Sequence, residues 1–160
     1  MGSIDNGARA VADLPEGRLL ASVVIPASPE RVFRALTSSE ITSWWVRPGV
    51  FDTREWSGDL RVGGRWRASG VARGEPFAQG GEFLEIDAPN RLVHTWDGAG
   101  KPGAPCTVTY DLEGVDGGTR VTLRQSGFAS RDTCGAFAIG WETSFDRLAE
   151  CLTPQVAATL

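Results

Sequence analysis

Residues 131–154 read RDTCGAFAIGWETSFDRLAECLTP and carry the pattern that decides the fold. Large apolar side chains recur there in steps of four, four, three and four, at Phe137, Trp141, Phe145, Leu148 and Leu152. This spacing places them on one face of an α-helix, which we expect to span residues 131–151 and to end before Pro154. An apolar face of that length predicts that the helix packs along its length against another layer.

The stretch before this helix alternates with a period of two, which is typical of β-strands. We predict strands at residues 80–87, 91–97, 106–112 and 119–125, and one from about Asp59 that turns Leu60, Val62 and Trp66 to one face. The links between the later strands are short and rich in Gly, Pro, Asn and Asp, which indicates antiparallel neighbours. One apolar and one polar face are typical of a sheet that is covered on one side.

The N-terminal third begins with a predicted strand at residues 19–25. Ser28, Pro29 and Glu30 then form a strong helix start, followed by a second short helix at residues 39–45. We expect residues 1–17 to form a flexible N-terminal tail, residues 18–153 a single α+β domain, and residues 154–160 a C-terminal tail.

Composition excludes several classes of function. The net charge is −4 over 160 residues with no basic run, so neither nucleic acid nor an anionic membrane is an expected partner. No stretch approaches the 18 or so apolar residues of a membrane helix, and the N-terminal segment has no secretory h-region. We therefore predict a cytoplasmic protein whose three cysteines stay reduced. With a single histidine and no ligand spacing, no metal site and no cofactor are expected.

Several local strings, in order along the chain, resemble one known family. They are residues 28–37 (SPERVFRALT), 44–45 (WW), 62–66 (VGGRW), 90–93 (NRLV), 95–96 (TW), 118–123 (GTRVTL) and 140–141 (GW). The chain resembles the SRPBCC superfamily, also called START-like or Bet v 1-like, and within it the group named after the activator of heat-shock-protein-90 ATPase. The resemblance implies a helix-grip fold, in which a curved antiparallel sheet wraps around a long C-terminal helix and two short helices follow the first strand.

In this fold, the gap between the sheet and the long helix forms a ligand pocket. Strand alternation and the helical stripe together predict its lining, with Phe51 near the mouth: Trp45, Trp66, Leu84, His94, Trp96, Tyr110, Gln125, Phe137 and Trp141. Tryptophan and tyrosine suit ligand pockets because each offers a wide apolar face and one polar atom.

His94 is the only histidine and is the candidate catalytic residue. Alternation with Leu92 and Trp96 turns it inward, where a neutral imidazole would serve as a base, an acid or a hydrogen-bonding group. The alternative is a core histidine with one satisfied bond and a pKa lowered by burial. Glu82 and Tyr110 are further inward candidates.

The leading functional hypothesis is a protein that binds a small hydrophobic, aromatic molecule in an internal cavity. An alternative is a lyase or isomerase of the polyketide cyclase/dehydratase type that uses His94. A third is a protein-interaction module that resembles the chaperone ATPase activators. The resemblance is compatible with all three functional hypotheses, because proteins of the superfamily perform many functions on one scaffold. A homodimer also remains open.

Overall fold

The predicted C-terminal helix is present as α3 (Arg131–Leu152) in a computed structural model that describes residues 7–101 and 103–154. The Ser130 side chain caps its first turn by accepting a hydrogen bond from the Thr133 backbone N–H at 3.1 Å. Four members of the predicted stripe, from Trp141 onward, are buried, and Phe137 is half-buried. The helical spacing therefore identified the packed face of α3 correctly.

The sheet has nine antiparallel strands within the described ranges. They are β1 (Arg9–Asp13), β2 (Arg18–Ile25), β3 (Val46–Arg47), β4 (Phe51–Gly58), β5 (Arg65–Ala72), β6 (Glu75–Asp87), β7 (Arg91–Lys101), β8 (Ala104–Val115) and β9 (Gly118–Ser126). Their spatial order is β1-β2-β9-β8-β7-β6-β5-β4-β3. α3 contacts β1 and β2 at one end of the sheet and β3 at the other, so the sheet curves around the helix. This arrangement confirms the helix-grip fold.

Two short helices follow β2, as predicted: α1 (Pro29–Leu36) and α2 (Ile41–Trp44). The Ser28 hydroxyl accepts a hydrogen bond from the Arg31 backbone N–H at 3.2 Å, and Pro29 opens the first turn. The Trp44 indole N–H donates to the Ala35 carbonyl oxygen at 3.0 Å and joins the two helices. This contact fixes the position of the neighbouring Trp45.

The N-terminal segment differs from the prediction. Residues 9–13 lie inside the expected tail but form β1, which pairs with β2 in the register Ala10↔Ala21. Small side chains on β1, among them Ala10 and Ala12, pack against the core, and the Ala10 backbone N–H donates to the Glu142 carboxylate on α3 at 2.9 Å. Of the two expected tails, residues 1–6 and 155–160 lie outside the described residues.

The strand predicted from Asp59 begins later than expected. Residues 59–64 form a loop in which Leu60 and Val62 are exposed, and β5 starts at Arg65. Gly64 enforces this turn, because a Cβ at that position would lie 2.0 Å from the Asp59 carbonyl oxygen. The sequence analysis also missed β4, which pairs with β5 and places Phe51 and Thr53 opposite α3.

None of the described helices is both long enough and apolar enough to cross a membrane.

Candidate functional site

An open pocket of about 400 Å³ lies between the N-terminal half of α3 and the end of the sheet formed by β3 to β6. Its walls are mainly aromatic: Trp45, Phe51, Phe77, Trp96, Phe137 and Trp141. The polar groups that line it are Arg47, Thr53, Arg73, Gln79 and Ser144. A volume of this size falls within the range of pockets that bind small molecules, about 300–1,000 Å³.

The aromatic rings of the pocket support one another from three elements. The Trp96 ring on β7 lies 5.1 Å from that of Trp45 and 5.2 Å from that of Phe137, centroid to centroid. The Trp96 indole N–H donates to the Gln79 side-chain oxygen, which fixes the ring on the sheet side. Such contacts hold each ring in place while leaving one face toward the pocket.

Trp141 forms the partition between this pocket and the core behind it. Its ring lies 6.1 Å from Trp45 and 6.0 Å from Tyr110, and the side chain is only 4% exposed. Its indole N–H donates to the side-chain oxygen of the fully buried Gln125 at 2.8 Å. One side of Trp141 therefore borders open space while its polar atom is bound on the closed side.

Behind this partition lies a second aromatic region, which we call the packed cluster: Trp66, Phe83, His94, Tyr110 and Gln125. The imidazole of His94 lies 5.1 Å from Trp66 and 5.9 Å from Tyr110, centroid to centroid. Each member of the cluster is at most 5% exposed. None of the five is among the described residues that line the pocket.

Hydrogen bonding fixes the His94 ring. Its Nδ1 lies 2.8 Å from the Thr95 carbonyl oxygen, so in the neutral ring Nδ1 carries the hydrogen and donates it. The Trp66 indole N–H donates to the same oxygen at 3.1 Å. Glycine at position 81 lets the β6 backbone lie close to the Thr95 carbonyl oxygen, since a Cβ at Gly81 would be 1.9 Å from that oxygen.

Burial controls the protonation of this cluster. It lowers the pKa of His94 to about 4, and the contact with the Thr95 carbonyl offsets only part of that shift. Burial also raises the pKa of Tyr110 well above its usual range. Both side chains are therefore neutral at physiological pH, which suits a packed core.

The nine side chains predicted to line the pocket fall into three groups. Those of Trp45, Trp96, Phe137 and Trp141 line it. Those of Trp66, His94, Tyr110 and Gln125 point inward, as alternation indicates, but belong to the packed cluster.

The prediction for Leu84 was wrong, since its side chain is 43% exposed. The pairing of β6 with β7 shifts register between Phe83 and Glu85, so the bulge breaks the alternation and Phe83 takes the inward position. Glu82, the weaker inward candidate, is half-buried on the opposite face from Gly81 and Phe83, and its backbone N–H donates to the Thr95 hydroxyl.

Among the pocket residues that the sequence analysis missed are Arg47, Arg73, Phe77 and Gln79. Phe77 and Gln79 share a face with Gly81 and Phe83 on β6, but extending the predicted alternation backward from Leu84 turns Gly80 and Ala78 inward instead, because the bulge between Phe83 and Glu85 reverses the pattern. Arg47 and Arg73 lie next to short turns, where alternation carries no signal.

The remaining candidates for chemistry are few. No group of three or more His, Cys, Asp or Glu within residues 7–101 and 103–154 is placed to hold a metal ion. Cys106 and Cys134 are buried, and burial raises the pKa of both thiols, which keeps them protonated and unreactive.

Comparison with known proteins places this geometry in a family. The family model described as activator of Hsp90 ATPase homolog 1-like protein matches residues 26–153. The pocket residues from Trp45 to Ser144 all fall inside that range. A search of curated proteins found no match.

Solved structures share the fold over nearly their whole length. Protein CV1439 from Chromobacterium violaceum is 27% identical, with a TM-score of 0.76 over 87% of this chain and 99% of that one. Protein NE0264 from Nitrosomonas europaea is 24% identical, with a TM-score of 0.71 over 86% and 95%. An AHSA1-like protein from Aeromonas hydrophila is 23% identical, with a TM-score of 0.71 over 89% and 99%.

Proposed function

The chain belongs to the family of activator of Hsp90 ATPase homolog 1-like proteins, and on that premise we propose that it binds a small, apolar, aromatic molecule in the pocket beside Trp45, Trp96 and Phe137. Membership in this family is consistent with a module that binds a ligand or another protein. The pocket is the feature that favours a small molecule.

The observation that carries the proposal is an aromatic pocket left open next to an aromatic core that is closed. Burial of apolar surface stabilises a folded protein by about 25 cal/mol for each Å² removed from water. Apolar surface that the protein leaves exposed does not contribute this free energy. Here open space of about 400 Å³ is lined by Phe51 and Phe77 on the sheet and by Gly140 on α3. Ile139, which is 53% exposed, extends the apolar surface to the mouth. A bound aromatic molecule would cover these surfaces.

Polar groups in the wall would orient such a ligand. The Trp45 indole N–H is buried and has no hydrogen-bond partner among the described residues. A buried donor without a partner costs about 1–3 kcal/mol. An acceptor atom on the ligand would satisfy it, while the buried Thr53 and Ser144 offer hydroxyl groups nearby.

The geometry supports binding better than proton transfer. His94, the candidate base of the cyclase alternative, lies beside Trp96, with ring centroids 6.4 Å apart, and outside the described pocket lining. With its pKa lowered to about 4, it is neutral at pH 7, and its Nδ1 is bound to the Thr95 carbonyl. Its position and bonding are those of a core residue.

Gly140 allows a direct experiment, because a larger side chain there would fill the pocket. A Cβ at Gly140 would meet only Phe51 Cε1, at 4.0 Å, so Gly140→Leu would extend into open space. Leucine is also a better helix former than glycine, by about 0.8 kcal/mol, so the variant should fold. Gly135→Leu is the matched control, since a Cβ there meets only the Leu14 side-chain end at 3.8 Å, away from the pocket.

The probe is phenylnaphthylamine, an uncharged aromatic dye whose fluorescence rises in apolar surroundings. We expect saturable binding to the wild-type protein and to Gly135→Leu, and an affinity at least about tenfold weaker in Gly140→Leu, which costs about 1.4 kcal/mol or more. Equal binding to Gly140→Leu and wild type, or no binding to wild type, would contradict the proposal.

A further inference from the structure

The charges that line the pocket are all of one sign. Arg47 is half-buried and Arg73 is exposed, and they are the only charged residues among the described residues of the lining. No described Asp or Glu belongs to it. The protein as a whole has a formal net charge of −4, so the positive charge of the pocket rim is opposite in sign to the net charge of the chain.

Backbone hydrogen bonds join the two turns that carry these arginines. The Val50 backbone N–H donates to the Arg47 carbonyl oxygen at 2.9 Å, and the Val50 carbonyl oxygen accepts from the Arg73 backbone N–H at 2.9 Å. Val50 also lines the pocket, and Phe51 pairs with Ala72 in the adjacent register. The backbones of Arg47 and Arg73 are therefore held together on one rim of the pocket, through Val50.

Neither arginine has an ion-pair partner among the described residues, whereas two arginines on the neighbouring strands do. Arg54 on β4 pairs with Asp52 at 3.1 Å, and Arg65 on β5 pairs with Asp97. An incoming anion would therefore not have to displace a protein carboxylate from Arg47 or Arg73. Guanidinium groups are well suited to this role, because their planar set of donors matches a carboxylate or sulfonate.

The backbone at Arg73 supports a role for its side chain. Arg73 and Gly74 have φ angles of 49° and 82° and form the two-residue turn between β5 and β6. Turns with two positive φ angles favour Asn, Asp and Gly, since other residues are strained in the left-handed region. Arginine is thus a poor choice for the turn itself, and its side chain at the pocket rim gives a reason for its presence.

We propose that the ligand is a small anion with an apolar, aromatic body, held with its body among Trp45, Trp96 and Phe137 and its anionic group at Arg47 and Arg73. The inference rests on the proposed function, because it assigns the charge of a molecule bound in that same pocket. The buried end of the pocket would take the rings, and the exposed rim would take the charge, where water still solvates it in part.

Two dyes with the same ring system test the effect of the ligand's charge separately from the binding of its rings in the pocket. Anilinonaphthalene sulfonate carries one negative charge, and phenylnaphthylamine is its uncharged counterpart. Each is titrated by fluorescence against the wild-type protein and the double variant Arg47→Gln/Arg73→Gln. Arg67→Gln is the control, because Arg67 is an exposed arginine on β5 with no ion pair among the described residues and lies outside the pocket.

We expect the double variant to bind the sulfonate about tenfold more weakly, since each exposed charge pair contributes modestly. Its affinity for phenylnaphthylamine should change less than about twofold, as should the affinity of Arg67→Gln for either dye. Arg73→Gly relieves the strained turn, so it should keep or raise the melting temperature while still weakening sulfonate binding. This variant separates the loss of charge from damage to the fold.

An equal effect of the double variant on both dyes, or no effect on the sulfonate, would overturn the anion assignment. If the uncharged dye still binds Gly140→Leu at least about tenfold more weakly than wild type in that case, the proposed function stands and only the charge is wrong. If Gly140→Leu binds the uncharged dye as wild type does, the pocket itself is not the binding site, and both proposals fall.

Discussion

The pocket and the packed cluster are built from the same kinds of side chain, yet one is open and the other closed. In the packed cluster, Trp66 on β5 and His94 on β7 share the Thr95 carbonyl, and Gly81 on the strand between them lets the backbones approach closely. On the pocket side, Gly140 on α3 has no side chain, and only Phe51 Cε1 lies as near as 4.0 Å to the position that a Cβ there would take. The comparison shows that a side chain that points inward is not necessarily packed against other side chains. Close packing also requires that the element on the opposite side places side chains in the space between them.

Two phenylalanines on one strand, β6, give the largest expected difference between the regions. Phe83 is 1% exposed in the packed cluster, and Phe77 is half-buried in the pocket wall. Phe83→Ala should lower the free energy of unfolding by about 3–5 kcal/mol, because it leaves a cavity in a close-packed core. Phe77→Ala should cost less than about 1.5 kcal/mol but weaken phenylnaphthylamine binding, since its ring already borders open space.

Urea unfolding and dye titration of both variants provide the two readouts. Equal losses of stability at the two positions would mean that the pocket wall is packed like the core, and would break the comparison.

The single histidine should make the packed cluster sensitive to acid. Its folded pKa of about 4 lies below the unfolded value of about 6.5, so the unfolded chain takes up a proton between these values while the folded chain does not. The resulting stabilisation is present above pH 6.5 and is lost as the pH falls toward 4. We expect a loss of about 2–3 kcal/mol between pH 7 and pH 4.5 from this group.

His94→Gln removes the titrating group, so the measurement is the difference in pH slope between the variant and the wild type. Carboxylates titrate in both proteins and cancel in that difference. Identical slopes would show that the imidazole is accessible to protons in the folded state.

Glycine substitutions should give the smallest changes in the free energy of unfolding. They distinguish the pocket from the packed cluster because the sign of the change differs between the two regions. Gly140→Ala should raise the free energy of unfolding by about 0.5–1 kcal/mol, because alanine favours the helix and its Cβ would make only an ordinary van der Waals contact, with Phe51 Cε1 at 4.0 Å. Gly81→Ala should lower stability, because its Cβ would lie 2.6 Å from Trp66 Nε1 as well as against the Thr95 carbonyl. A destabilising Gly140→Ala would indicate that α3 lies closer to Phe51 than the pocket allows.

Local periodicity was sufficient to predict the packed face of α3 and the order of the other predicted elements, but it did not predict β1, β3 or β4. It also turned Trp66, His94, Tyr110 and Gln125 inward, and all four are buried. Alternation cannot show whether open space or another ring lies opposite, because that depends on residues far away in the chain. The prediction for Leu84 was wrong for a different reason. A bulge arises from the pairing between two strands, so the sequence of one strand alone does not reveal it.

The tryptophan side chains offer the most direct test of where the pocket ends. In an isotope-labelled protein, each indole N–H gives its own resonance, and phenylnaphthylamine is added until it saturates. We predict that the signals of Trp45, Trp96 and Trp141 shift, because their rings line the pocket, while those of Trp44 and Trp66 stay in place. The largest shift at Trp66, or saturation with no shift at Trp45 and Trp96, would contradict the account.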